Sequence, residues 1–125
     1  MEPTITATNP RGVHTINAAG KRLGRVASEA AKILIGKHLT DFTRNDAGTA
    51  SVRIENASKI VLDEKKSIQK KHKRYSGYPG GLKEETFSSV AARRGYGELL
   101  RHAIKGMLPK NKLQALRMKR VSVTE

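Results

Sequence analysis

The chain has 125 residues, with 25 Lys and Arg against 11 Asp and Glu and a formal net charge of +14. That length suits one domain able to bury a core without a staple, and the absence of cysteine excludes disulfides and thiolate zinc sites. The charge surplus repels itself unless a polyanion lies beside it, and nucleic acid is the commonest such partner.

Residues 1–12 are polar and broken by Pro3, Pro10 and Gly12, which predicts an extended arm; 13–125 reads as one domain. The arm has neither the basic n-region nor the apolar h-region of a secretory signal, and an intracellular location is expected. Val13 to Asn17 is a short strand. A helix follows over 22–35, with Leu23, Val26, Ala27, Ala30, Ala31 and Leu34 on one face and Gly36 as its C-terminal cap. Residues 37–49 are a polar loop. Residues 50–55 alternate, placing Val52 and Ile54 on one side and Arg53 on the other, as a half-buried strand does. Residues 60–62 are a short buried strand.

Residues 65–74 are the most basic stretch of the chain, and 75–81 is a turn-forming loop. Helices are expected over 86–93 and over 98–108, the second stopped by Pro109. Asn111 caps a further turn carrying Leu113 and Leu116, and Val121 and Val123 mark a last strand. Strands alternating with helices imply an α/β fold, a small three-layer domain with a parallel sheet. No apolar run is long enough to span a membrane, and Phe87 is the only large aromatic on a plausible helix, which is poor material for a membrane-surface anchor.

Two stretches carry the chemistry. In the first, Lys70, Lys71, Lys73 and Arg74 lie in a run free of acid, beside Tyr75 and Tyr78, which are suited to stack on bases. Gly80 and Gly81 in the following loop permit close backbone approach to phosphate. The plain reading of such a run is a solvated loop. The second stretch runs from 99 to 124 without an acid and contains Arg101, Lys105, Lys110, Lys112, Arg117, Lys119 and Arg120. Arg101 and Lys105 are like charges four apart on a helix, which a phosphate would relieve.

Gly20-Lys-Arg-Leu-Gly24 resembles a phosphate cradle only loosely and reads as a tight turn, with Lys21, Arg22 and Arg25 able to reach RNA backbone. His14, His38, His72 and His102 are too scattered for a metal site, and His72 and His102 are read as RNA-facing or solvated. Glu84 and Glu85 are read as charges at a helix start. No catalytic constellation is apparent, so neither an enzyme nor a cofactor is expected.

Four segments go further: Asn17-Ala-Ala-Gly-Lys-Arg-Leu-Gly-Arg-Val-Ala27, Gly36-Lys-His-Leu39, Ser76-Gly-Tyr-Pro-Gly-Gly-Leu-Lys83 and Lys105-Gly-Met-Leu-Pro-Lys-Asn-Lys-Leu113. In order and spacing they resemble the universal large-subunit ribosomal protein thirteen family, bacterial in type, over roughly 13–123. Departures include His14 in place of an aromatic, Asn17 in place of Asp, and Phe42-Thr-Arg-Asn45 after the second segment.

The resemblance implies an α/β/α domain around a four-stranded, mainly parallel sheet. It implies a non-enzymatic part of the large subunit that assembles early, binds large-subunit ribosomal RNA and lies near other ribosomal proteins, in the cytoplasm or on an organellar ribosome. It implies neither a membrane partner nor a small-molecule substrate. It also places Lys37, His38 and Lys83 among the RNA-facing residues, beside Lys21, Arg22, Arg25, Lys105, Lys110 and Lys112.

Overall fold

The computed structural model describes residues 5–7, as backbone, and residues 12–125. The rest of the expected arm lies outside the described residues. Ile5–Ala7 forms strand β1, antiparallel to β2 (Val13–Asn17). From β2 the chain crosses through helix α1 (Leu23–Ile35) to β3 (Ser51–Glu55), which runs parallel to β2. The last strand, β6 (Val121–Val123), is parallel to β3, so the sheet order is β1-β2-β3-β6.

The α/β class and the small, mainly parallel sheet are as the sequence implies. The strands are not quite those expected. Residues 60–62 contribute one isolated bridge, Arg22 to Val61, and β1 supplies the fourth strand instead. Val61 is exposed, so this apolar triplet lacks the two-sided burial that a central strand requires.

Register explains the core. His14, Val52 and Val121 lie side by side across β2, β3 and β6, as do Ile16, Ile54 and Val123. Ile16, Val52 and Ile54 are fully buried, while Arg53 and Ser122, on the opposite face, are exposed. Helix α1 covers the buried face with Val26, Ala27, Ala30, Ala31 and Leu34. Its alanines let helix α4 (Tyr96–Met107) approach closely, and α4 adds Leu100 and Ile104 to the same cluster. Each fully buried branched aliphatic side chain contributes about 1.5–3 kcal/mol. Helices thus pack on one face of the sheet, and among the described residues a second helical layer over Arg53 and Ser122 is not found.

Local signals fix the joints. Gly36 ends α1 in the left-handed region at φ 90°, and its N–H bonds to Lys32 and Ile33 carbonyls. Asn17 Oδ1 accepts from Ala19 N and from Asn56 Nδ2, each at 3.0 Å, tying the end of β2 to the left-handed turn at Asn56. Thr86 caps helix α3 (Phe87–Arg94) by accepting from Ser89 N. Asn111 Oδ1 accepts from Leu113 N at the start of helix α5 (Leu113–Met118), as its position predicts.

Candidate nucleic-acid interface

The basic run at 65–74 is not a loop. Its first part belongs to a short helix, α2 (Glu64–Gln69), and its second to strand β4 (Lys71–Tyr75). Strand β4 pairs antiparallel with β5 (Leu82–Thr86) as a two-stranded ribbon apart from the main sheet. The acids missing from the run arrive across this ribbon. Glu84 takes Lys71 Nζ at 3.2 Å and Lys73 Nζ at 3.5 Å. The hydrogen bond from Lys71, then its charge, then that of Lys73, hold the Glu84 carboxyl below the usual carboxylate range. Glu85, on the other side of β5, accepts two bonds from Arg93 Nη2 at 2.6 and 2.7 Å. These two carboxylates are therefore strand residues in ion pairs, and not charges at a helix start.

The ribbon's tip is shaped by glycine. Gly80 has φ 75°, and a Cβ on Gly81 would come within 2.9 Å of the Tyr78 carbonyl, so the tip itself requires Gly81. Tyr75 and Tyr78 are exposed over 67% and 75% of their surface, open to an incoming base. Lys83 is exposed opposite Arg74 in the ribbon.

Strand alternation sends His72 and Arg74 toward α4. There they line a cleft of about 860 Å³ with Lys73, Arg101, Lys105 and Lys110. Two segments more than 25 residues apart thus converge on one cationic groove. Glu98 also lines it, paired with Arg94 at 3.8 Å. His72 is buried, contrary to the RNA-facing or solvated reading, and its ring lies against that of His102, which is exposed and lines the cleft. Burial, then the nearby His72, lower the His102 pKa; Lys105 adds to this and Glu98 opposes it.

A second cleft, of about 430 Å³, lies on the other side of His102 and Gly106. Arg22, Lys70 and Lys71 line it. Lys21 and Arg25 sit nearby in the chain: Lys21 pairs with Glu29 at 3.6 Å, and Arg25 is exposed near the start of α1. Lys37 lies on a different depression beside Arg44, and the His38 ring packs edge-on against His14, centroids 5.0 Å apart. Lys112 is exposed just before α5, outside both clefts.

Two cations of the second basic stretch serve the fold. Arg117 is buried, with Nη2 donating to the Asp46 carbonyl at 3.1 Å, and Arg120 Nη1 donates to the Ala47 carbonyl at 2.8 Å. Burial, then Arg120, lower the Arg117 pKa, with Asp46 opposing. Arg101 and Lys66 are the cleft cations missing from the sequence-based choice of RNA contacts, although Arg101 is flagged by its like-charge spacing to Lys105. Among the described residues, no group of three or more His, Asp or Glu is placed to hold a metal ion, and no helix is long and apolar enough to cross a membrane.

The fold and surface define a small basic α/β protein with cation-lined clefts, a surface suited to a polyanion. Comparison with known proteins narrows this class. The ribosomal protein L13 family profile matches residues 11–125. The chain is 48% identical over 117 residues to the large ribosomal subunit protein uL13 of Rippkaea orientalis, covering 90% of this chain and 76% of that one. It is 46% identical over 113 residues to uL13 of Treponema pallidum, covering 90% and 79%, and 44% identical over 110 residues to uL13 of Clostridioides difficile, covering 88% and 76%. The chain belongs to the ribosomal protein L13 family.

Proposed function

We propose that this chain is a structural constituent of the large ribosomal subunit that binds large-subunit ribosomal RNA through its basic surfaces. The observation that carries the RNA reading is the meeting of Arg74, Arg101, Lys105 and Lys110 in one cleft, from a ribbon, a helix and the loop after it. Glu98, the acid in that cleft, is matched by Arg94, which leaves the groove strongly cationic. Phosphates entering there release condensed counterions and relieve the repulsion between Arg101 and Lys105. The exposed Tyr75 and Tyr78 then supply stacking surfaces at the ribbon tip. Binding of this kind supports early subunit assembly, because a folded basic domain neutralises RNA strands that otherwise repel. In this reading the protein resides on cytoplasmic ribosomes, beside other large-subunit proteins, and contributes no chemical step.

Sedimentation tests the proposal. At normal expression the chain should travel with large subunits in one-to-one ratio through a high-salt gradient. Recovery only in the ribosome-free fraction would refute it.

A further inference from the structure

The smaller cleft differs from the RNA-facing groove beside it. Its floor is apolar, built by Leu62 from the segment before α2, Phe87 from the start of α3, and Leu99, Ala103 and Met107 from α4. Met107 is 44% exposed, so part of this floor is open to solvent. Its rim is polar. Arg22 and Lys66 stand on either side of Asp63, at 3.8 and 4.0 Å, and Lys70 is exposed beside them. An apolar floor, one carboxylate acceptor and four cations, Lys71 being the fourth, within a space of about 430 Å³ form a set of three complementary surfaces. The volume lies in the range of small-ligand sites, roughly 300–1,000 Å³.

We propose that this cleft holds a single unstacked ribonucleotide of single-stranded RNA, an inference that rests on the RNA-binding reading above. The base lies on the apolar floor, the ribose 2′-hydroxyl donates to the Asp63 carboxylate, and the phosphate meets Arg22, Lys66 and Lys70. A purely apolar partner, such as a peptide from a neighbouring protein, would leave the charged rim unused. A paired base is buried in its helix and cannot reach the floor, so the site selects single strands. A nucleotide lacking the 2′-hydroxyl leaves Asp63 only its ion pairs with Arg22 and Lys66, so the site prefers ribose to deoxyribose. Gly106 and Gly24 face this space, and a Cβ at either meets nothing within 4 Å. The open space beside both glycines is then the room that the nucleotide takes.

The test uses the full chain and a short oligouridine strand carrying one 2-aminopurine, which is little quenched among unstacked uridines and is quenched on stacking against the Phe87 ring; the protein has no Trp to interfere. Three further probes are the same strand as DNA, the RNA annealed to its complement, and free 2-aminopurine ribonucleoside monophosphate. The single-stranded RNA should be quenched on binding, and the DNA and the duplex should be quenched less. Gly106→Leu fills the cleft from a helical position that favours Leu over Gly, so the fold should persist. It should abolish quenching and weaken single-strand binding roughly 5- to 150-fold, the loss expected for one stacked base, without changing the salt slope. Gly24→Leu, on the opposite wall, repeats the test if Gly106→Leu melts early. Asp63→Asn should erase the preference for RNA over DNA.

RNA binding by the parent without quenching would overturn the proposal and leave the cleft to an apolar peptide. Equal quenching in both glycine variants would also overturn it, and quenching by the free monophosphate at matching affinity would reassign the site to a small nucleotide. If the parent binds none of these RNAs nor ribosomal RNA, the RNA-binding reading itself fails, a result distinct from the others.

Discussion

The imidazole of His72 stacks on that of His102 with centroids 3.7 Å apart and planes tilted by 40°, joining ribbon strand β4 to helix α4 at the wall between the two clefts. Because the His102 pKa is lowered in the folded state, the unfolded chain binds the proton more readily. The resulting stability is therefore present above the ordinary histidine value of about 6.5 and is lost as pH falls through the lower folded value. Urea unfolding should show stability declining from about pH 7.5 to about pH 5.5, and His102→Gln should flatten part of that decline. An equal decline in the variant would place the proton-linked loss elsewhere.

Arg117 holds the loop at Asp46 from inside the protein. Arg117→Ala leaves the Asp46 carbonyl without its donor and opens a cavity, at a cost on the order of 2–4 kcal/mol. Arg117→Met keeps most of the packing and should cost less. Amide exchange in residues 43–49 should quicken in both variants, which chemical denaturation alone would not reveal.

The cations of strand β4 divide into two kinds. Lys71 and Lys73 share Glu84, whereas Arg74 makes no ion pair among the described residues. Arg74→Gln should therefore lower the log–log salt slope of RNA binding by about 0.7–0.9. Lys73→Gln should lower it less, and Glu84→Gln should raise affinity by freeing both lysines. Filter binding across a salt series measures all three.

Ile54 is fully buried between α1 and its sheet neighbours Ile16 and Val123. Ile54→Ala should cost about 2–5 kcal/mol in thermal or chemical unfolding. Arg53→Ala, one residue away on the open face, should change stability little.

Much of this architecture is legible in the sequence where apolar spacing is strong. Helix α1 and strand β3 announce themselves because Val26, Ala30, Leu34, Val52 and Ile54 repeat at the period of their element. Strand β4 does not, since Lys71-His-Lys-Arg-Tyr75 has no aliphatic residue. Its one inward side chain is a histidine, and its partner acid lies 11 or more residues downstream. Strand β1 is equally quiet, an Ile-Thr-Ala triplet in a polar arm that depends on β2 for its hydrogen bonds. For the site, the sequence offers two separate basic stretches, and the fold brings cations from both into one cleft. Arg117 reads as surface charge because a buried arginine is rare, and nothing local reveals the carbonyl at Asp46, 71 positions away, that receives it. Lys37 and His38 lie apart from both clefts for a similar reason: their place is set by how α1 ends and by the His14 ring.

The most direct test is the salt dependence of binding to large-subunit ribosomal RNA by the parent and by a variant with Arg74, Arg101, Lys105 and Lys110 all changed to Gln. The four side chains meet only in the folded cleft, and three of them are exposed on α4 or the loop after it, so the fold should survive. Binding should weaken across RNA sequences, with a log–log slope shallower by about 3–4 units. Parent-like affinity and slope in a folded variant would contradict RNA binding through this cleft.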